Sequence, residues 1–205
     1  MIDDAATTLL LGCEISMPGD TPPTGQTQYV GEYVEVWDKG SSALVVFEVS
    51  IEIDGQPVHT LRTTVMLQGR GGFGGERGPG RTSQRELDDA VELPVSIPAN
   101  RAVLYQLVGE HNPHSLDPEF AAEVGRPGPI SAGQVLIGAA ARTLTGAFAD
   151  GDHRALARIA VDYAGSYVTG QPLTMQAQPD SSNTLAFNLY SGQQPVLLNG
   201  RAELR

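Results

Sequence analysis

Residues 107–120, LVGEHNPHSLDPEF, gather several side chains that can move protons around a single proline turn. Glu110 supplies a carboxylate, His114 an imidazole, and Ser115 a hydroxyl at the next position. A carboxylate and an imidazole near one substrate atom can act as a general acid–base pair. Adjacent residues diverge in regular structure, but a turn initiated by proline allows His114 to face the same side as Glu110. We therefore predict a proton-transfer site in this segment.

The same residues also have ordinary structural interpretations, which stay open at the level of sequence. Glu110 can be an acid at a helix end, although a carboxylate there opposes the helix dipole. His114 can be a solvated turn residue, and Asn112 can brace the turn through Asx-type hydrogen bonds rather than contact a substrate. His111 is expected to be exposed or to support the site from outside it.

Three helices are predicted to position this turn. The first lies in PANRAVLYQLVGE, and the second lies in DPEFAAEVG, where Asp117 is a favoured N-cap residue. The third, SAGQVLIGAAARTLTGAF, is almost wholly apolar over a helical length. A helix that is apolar on every side must be buried, so we expect this one at the centre of the fold.

Most of the remaining chain is predicted to form antiparallel strands. Residues 24–68 have the alternation of a meander, with a strong hairpin signal at Asp54-Gly55, and the turn-rich residues before them place the first strand near residue 24. Strand patterns return after the third helix in ALARIAVDYAGSYV, PLTMQAQ, TLAFNLYS and PVLLNGRAEL. The sequence Thr-Gly-Gln occurs at 24–26 and again at 169–171, each time before a strand, which favours a duplicated unit.

The domain organisation follows from a change of composition in the middle of the chain. Residues 69–97 are rich in glycine, proline and charge, as is typical of a linker. We predict an N-terminal half at 1–68 and a C-terminal half at 98–205 that carries the site.

Composition limits the classes of partner. The 205 residues include 13 basic and 24 acidic side chains, and the net charge of −11 opposes binding to nucleic acid or an anionic membrane. No apolar run reaches the roughly 20 residues of a membrane span, and the first residues lack the basic segment of a signal peptide, so we expect a cytoplasmic protein. The single cysteine, Cys13, is expected to be a buried core thiol, and His59 and His153 lack partners at metal-ligand spacing, so we expect no metal and no cofactor.

Three separated segments resemble the MaoC-like, R-specific enoyl-CoA hydratase family. The family pattern Y-x-L-x-G-D-x-N-P-L-H-x-D-P corresponds to YQLVGEHNPHSLDP at 105–118, and G-x-x-x-P-I-L-H-G corresponds to GRPGPISAG at 125–133. RGGFGGERGP at 70–79 resembles the linker of members with two hotdog units. The resemblance implies an α+β double hotdog, in which a curved antiparallel sheet surrounds one long central helix near 131–148. Because residues before 24 show no helical pattern, the first hotdog is expected to lack its own helix.

The resemblance also implies roles for individual residues. Glu110 stands where the family has its acid–base aspartate, and Ser115 stands where it has its histidine, with His114 one position earlier. Gly133 matches the glycine whose N–H holds the thioester oxygen, and its place near a helix start suits that role. The implied catalytic residues are Glu110, His114 and Gly133, and the implied substrate-binding residues are Asn112, Ser115, Gln134, Asp162 and Tyr163.

Three functions stay open. The first is a hydratase or dehydratase that interconverts enoyl and β-hydroxyacyl thioesters. The second is a cyclase or isomerase that forms a ring in a polyketide-like intermediate, and the third is a non-catalytic subunit that supports an active homologue. The substrate would be bound to coenzyme A or a carrier protein, with Arg70, Arg77, Arg81 and Arg85 as a candidate phosphate patch. A homodimer is expected, since hotdogs usually pair.

A wide groove is predicted between the two halves. A first sheet without a helix leaves apolar surface that something must cover. We expect the groove to open beside Glu110 and Gly133 and to be lined by apolar residues of the strands at 27–37 and 42–53. Such a groove favours a bulky substrate over a four-carbon one.

Overall fold

The computed structural model describes residues 7–80 and 82–205. Its strands in the first half are β1 (Thr8–Ser16), β2 (Thr27–Asp38), β3 (Ser42–Ile53) and β4 (Gln56–Gln68). Those that follow are β5 (Val91–Val95), β6 (Leu156–Tyr163), β7 (Leu173–Pro179), β8 (Thr184–Ser191) and β9 (Gln194–Leu204). The helices are α1 (Arg101–Leu107), α2 (Pro118–Glu123) and α3 (Gly133–Phe148). The strands form one sheet in the order β2-β3-β4-β1-β6-β9-β8-β7-β5.

The strand order repeats on either side of the centre of the sheet. From the junction outward, the first half runs β1-β4-β3-β2 and the second half runs β6-β9-β8-β7. At the junction β1 and β6 pair antiparallel, with Cys13 opposite Val161. The two Thr-Gly-Gln segments precede β2 and β7, which occupy equivalent places in the two halves. The chain is therefore a double hotdog with a continuous antiparallel sheet, as the sequence predicted.

Two strand predictions were wrong. β1 begins at Thr8, well before residue 24, and its sequence TLLLGCEIS lacks alternation because both faces of the strand are largely half-buried. β5 lies inside the predicted linker at 69–97 and pairs with β7 at the edge of the sheet. An edge position also explains how β5 tolerates Pro94, since one side of the strand needs no hydrogen-bond donor.

The helices agree with their sequence signals. The Asp117 carboxylate accepts hydrogen bonds from the amides of Glu119 and Phe120 at 2.9 and 3.1 Å and so caps α2. At the hairpin between β3 and β4, Asp54 and Gly55 have φ of 50° and 75°, the left-handed conformation that this turn requires. Within residues 7–80 the structure contains no helix, so the first hotdog lacks one over that range.

The core lies between α3 and the second half of the sheet. Leu144 of α3, Met175, Leu189 and Leu197 have no exposed side-chain surface, and Cys13 is buried with them. α3 packs against β5 and β6, which explains why its sequence is apolar on nearly every side. None of the helices in the described ranges has the length and hydropathy of a membrane span.

Candidate active site

A cavity of about 1570 Å³ lies between the two halves, beside the start of α3. All eight residues selected from the sequence line it. They are Glu110, Asn112, His114, Ser115, Gly133, Gln134, Asp162 and Tyr163. The structure therefore brings the proline turn, the beginning of α3 and the end of β6 to one place.

The first half contributes the opposite wall, but not through the strands predicted. The wall comes from β1 and β4, including Leu9, Leu11 and Met66. From 42–53 only Leu44 lines the cavity, and no residue of 27–37 does. The prediction of a lining by 27–37 and 42–53 was wrong because β1 and β4, not β2 and β3, lie next to the junction with the second half.

Glu110 lies three residues beyond the end of α1. Gly109 has φ of 107°, which lets the chain leave the helix and turn its next side chain toward the cavity. Glu110 Oε1 accepts a hydrogen bond from the Asn112 amide at 2.9 Å, while Oε2 is buried and has no hydrogen-bond partner among the described residues. Burial, and then the nearby charge of Glu110, raise the pKa of Tyr105, which lines the same cavity. One carboxylate oxygen is thus fixed, and the other is available to a ligand.

The turn after Glu110 is braced by its own asparagine. Asn112 Oδ1 accepts a hydrogen bond from the His114 amide at 3.1 Å, as the Asx interpretation predicts, and it caps a short 3-10 turn at Pro113–Ser115. His114 and Ser115 are both buried, and the His114 ring meets the Phe120 ring edge-on at 4.7 Å between centroids. The His114 carbonyl accepts a hydrogen bond from Ile130, which links the turn to the segment leading into α3.

Gly133 begins α3, and its Cα lies against the Tyr163 ring. The preceding residue, Ala132, offers no side-chain cap, so the first amides of the helix are left for another acceptor. A Cβ at position 133 would lie 2.6 to 2.7 Å from Tyr163 Cε1, Cζ and the hydroxyl oxygen, closer than real side chains approach. Glycine at this position therefore allows the tyrosine hydroxyl to lie beside the open helix start.

The Tyr163 hydroxyl is a second buried polar group in the cavity. It has no hydrogen-bond partner with good geometry among the described residues, and its titratable neighbours are Cys13 and Tyr105. Burial, followed by these two neighbours, raises the pKa of Tyr163 far above its ordinary value, while burial raises the pKa of Cys13 to about 11. The hydroxyl therefore keeps its proton and can serve as a hydrogen-bond donor.

The other predicted residues have different surroundings. Asp162 Oδ2 accepts a hydrogen bond from Asn199 Nδ2 at 2.8 Å, and Gln134 is exposed at the cavity. His59 and His153 each bond a threonine hydroxyl, at 2.7 and 2.9 Å. His111 is exposed.

The three described arginines of the candidate phosphate patch do not line the cavity. Arg70, Arg77 and Arg85 are absent from its lining, and Arg85 is paired with Asp180 at 2.5 Å. Arg81 lies outside the described residues.

Sequence reasoning missed two charged residues of the cavity, Lys39 in the turn after β2 and Arg126. Arg126 lines it, from the loop between α2 and α3. Its position falls on an open letter of the family pattern, so nothing in the sequence distinguished it from the other eleven arginines.

Relatives of this chain are hydratases and dehydratases. It is 34% identical over 176 residues to enoyl-CoA hydratase ChsH3 of Mycobacterium tuberculosis, covering 84% of this chain and 61% of that one. It is 32% identical over 162 residues to the peroxisomal multifunctional enzyme type 2 of Mus musculus, covering 74% and 21%. The chain belongs to the MaoC-like hydratase and dehydratase family. No family model matches it.

Structural comparison supports the fold of this MaoC-like chain. A MaoC-like dehydratase from Phytophthora capsici superposes with a TM-score of 0.84 at 22% identity, covering 98% of this chain and 73% of that one. The chain spans 61% of the length of enoyl-CoA hydratase ChsH3 and 21% of the length of the mouse multifunctional enzyme.

Proposed function

We propose that this chain is a hydratase or dehydratase that adds water to, or removes water from, an acyl thioester. The observation that carries the proposal is the Glu110 carboxylate, which has one oxygen fixed by the Asn112 amide and the other buried without a partner. It shares a cavity with His114 and with the uncapped start of α3 at Gly133. A base, a second proton carrier and an anion-stabilising helix start are the groups that this chemistry requires.

In the hydration direction, the thioester oxygen would accept a hydrogen bond from the Gly133 amide. Glu110 would take a proton from water as the water oxygen bonds to the β-carbon, and negative charge would move to the thioester oxygen. A proton delivered from the His114 imidazolium to the α-carbon then completes the β-hydroxyacyl product, and the proton held by Glu110 returns to solvent. Dehydration reverses these steps. The helix dipole and the Tyr163 hydroxyl would both stabilise the developing negative charge.

His114 is proposed as the second proton carrier. It is buried at the cavity and its ring is oriented by Phe120, whereas the hydroxyl of Ser115 does not titrate near neutral pH. In this proposal His114 replaces the histidine that the family has at position 115, and Glu110 replaces the aspartate that it has at 110.

A bulky acyl group is proposed as the substrate. Typical small-molecule sites have volumes of about 300–1,000 Å³, and the cavity of about 1570 Å³ exceeds them. The same size favours, as a second candidate, a cyclase or isomerase acting on a polyketide-like intermediate in this cavity. Attachment to coenzyme A or a carrier protein, location in the cytoplasm and pairing of two copies are further parts of the proposal. A non-catalytic role is the alternative that an absence of turnover would favour.

Steady-state hydration of crotonyl-CoA and of a longer enoyl-CoA tests the assignment. Glu110→Gln should lower turnover by at least ~100-fold, the usual contribution of a general acid–base group. Glu119→Gln, at an exposed position of α2, is the matched control and should retain full activity. His114→Ala should lower turnover more than Ser115→Ala does. Near-full activity of Glu110→Gln would refute the role of Glu110, and faster turnover of crotonyl-CoA than of the longer thioester would refute the bulky substrate.

A further inference from the structure

Arg126 places an unpaired cation in the cavity wall. Its backbone is fixed just after α2, where its amide donates to the Ala121 carbonyl at 2.8 Å. Its Nη1 is buried and has no hydrogen-bond partner in the part of the chain that the structure describes. None of the ion pairs formed within residues 7–80 and 82–205 includes Arg126.

This environment is unfavourable for a guanidinium. Burial alone lowers the pKa of Arg126, and no acidic neighbour within residues 7–80 and 82–205 offsets it. Arginine stays charged in proteins, so the cost of the lost hydration is not relieved by deprotonation. Arg158, in contrast, lies between Glu14 and Glu203 at 2.8 and 3.0 Å. An unpaired cation that faces a cavity is accounted for by an anion that arrives with the ligand.

The other long-chain cation of the cavity is already engaged. Lys39 Nζ donates to the backbone carbonyls of Arg77 and Pro79, the latter at 2.6 Å. A chain with a net charge of −11 repels anions overall, so holding one in the cavity requires a local donor. Of the lysines and arginines that line the cavity among the described residues, Arg126 is the one with a buried donor left open.

We propose that Arg126 forms an anion-binding subsite and that the substrate carries a carboxylate or phosphate oxygen that reaches it. The inference rests on the proposed function, which supplies a thioester substrate. The anion has two possible sources, a carboxylate at the far end of the acyl chain or a phosphate of the carrier to which the acyl group is attached. Both would form short, charge-assisted hydrogen bonds with the guanidinium.

Calorimetric binding of four unreactive thioesters separates these sources. Butyryl-CoA and glutaryl-CoA differ in a terminal carboxylate, and the N-acetylcysteamine thioesters of both acids lack the phosphates. All four are saturated, so they bind without being hydrated. The proteins are the wild type, Arg126→Gln, Arg126→Lys and the control Arg101→Gln, which changes an exposed arginine outside the cavity lining.

Two outcomes support the subsite. If the anion is a carboxylate, the wild type binds each glutaryl thioester at least ~10-fold more tightly than its butyryl counterpart. If it is a phosphate, the wild type instead prefers both coenzyme A thioesters by at least ~10-fold. In either case Arg126→Gln loses the preference, Arg126→Lys keeps part of it, and Arg101→Gln keeps all of it. The melting temperature of Arg126→Gln should equal or exceed that of the wild type, because an unpaired buried charge is removed.

Other outcomes overturn it. Binding of the thioesters by Arg126→Gln within about twofold of the wild type would contradict the subsite and leave the proposed function standing. An equal loss of the binding preference in Arg101→Gln would indicate a general charge effect instead of the subsite. A lower melting temperature of Arg126→Gln would indicate a structural role for Arg126. Failure of the wild type to bind any of the four thioesters would contradict the proposed function and the subsite together.

Discussion

The two halves of the sheet share a strand order but differ in what covers them. In the second half α3 packs against the sheet, and residues such as Leu144, Met175 and Val196 have no exposed surface. In the first half, within residues 7–80, no helix is present, and Tyr29 and Tyr33 of β2 are 68% and 69% exposed. The same strand pattern therefore gives a dense core on one side and a half-buried sheet on the other.

The two halves also contribute different kinds of residue to the cavity. The second half, with the loops before α3, supplies every titratable side chain assigned a role in the proposed reaction. The first half supplies the apolar wall of β1 and β4 opposite them. The two halves thus share a strand topology, while the second half holds the core and the groups to which the proposed function gives a reactive role.

Truncation of a leucine in each half should show the largest contrast, in the free energy of unfolding. Leu144→Ala, in α3, should lower the free energy of unfolding by about 3 kcal/mol, because a buried leucine leaves a cavity. Leu67→Ala, at a half-buried position of β4, should cost about 1 kcal/mol. Urea denaturation of both variants measures the difference. Equal losses would mean that the first half is packed as tightly as the second.

A methyl group at the start of α3 should cause a large loss of activity. Gly133→Ala places its Cβ against the Tyr163 ring, so the amide or the tyrosine must move, and a shift near 1 Å can lower kcat by about 100-fold. Gly138→Ala, in the same helix with no atom within 4 Å of its Cβ, should keep full activity and stabilise the fold by about 0.5–1 kcal/mol. Comparable activity in the two variants would remove the helix start from the mechanism.

Loss of one hydroxyl should have a smaller effect. Tyr163→Phe should lower kcat by at least ~10-fold if the hydroxyl donates a hydrogen bond to the developing oxyanion, while the Gly133 amide remains. The unfolding free energy should not fall, since the hydroxyl forms no hydrogen bond of good geometry with the described residues. Unchanged kcat together with a raised KM would instead make Tyr163 a residue that binds the substrate and the transition state equally.

The smallest effect should come from the first half. The buried Asp38 carboxylate accepts hydrogen bonds from the amides of Gly72, Gly40 and Gly74, and these bonds lower its pKa below 3.8. Because the folded pKa is the lower one, this stabilisation is present above about pH 4 and is lost as the pH falls through the folded pKa. Asp38→Asn should lower the melting temperature slightly at pH 7 and flatten its fall toward pH 3, without changing kcat. A steeper fall in Asp38→Asn would contradict this linkage.

Local signals in the sequence predicted a large part of the fold. The Asp54-Gly55 turn and the Asp117 cap depend on short-range backbone chemistry, and the apolar length of α3 reflects its burial; each has the predicted structure. β1 was missed because both of its faces are largely half-buried and its sequence therefore does not alternate, and β5 was missed because a short edge strand in a glycine-rich region depends on pairing with β7.

In the candidate site, too, some residues could be predicted from the sequence and others only from the folded structure. The residues at 110–115 were found because they lie together in the chain, and Gly133 and Tyr163 through the family pattern. Arg126 was not found, because an arginine becomes a candidate only when a guanidinium nitrogen, here Nη1, is known to be buried without a partner. Burial and pairing are properties of the folded chain, and a loop sequence such as GRPG does not encode them locally.

The most direct test of the central claim is the reaction itself, followed in deuterium oxide. Wild-type protein incubated with a trans-2-enoyl-CoA should form the β-hydroxyacyl-CoA with a single deuterium at the α-carbon, detected by mass spectrometry, because the α-proton comes from solvent. Glu110→Gln should form the same product at least ~100-fold more slowly. Recovery of unchanged enoyl-CoA from the wild type, or equal rates in the two proteins, would contradict the account.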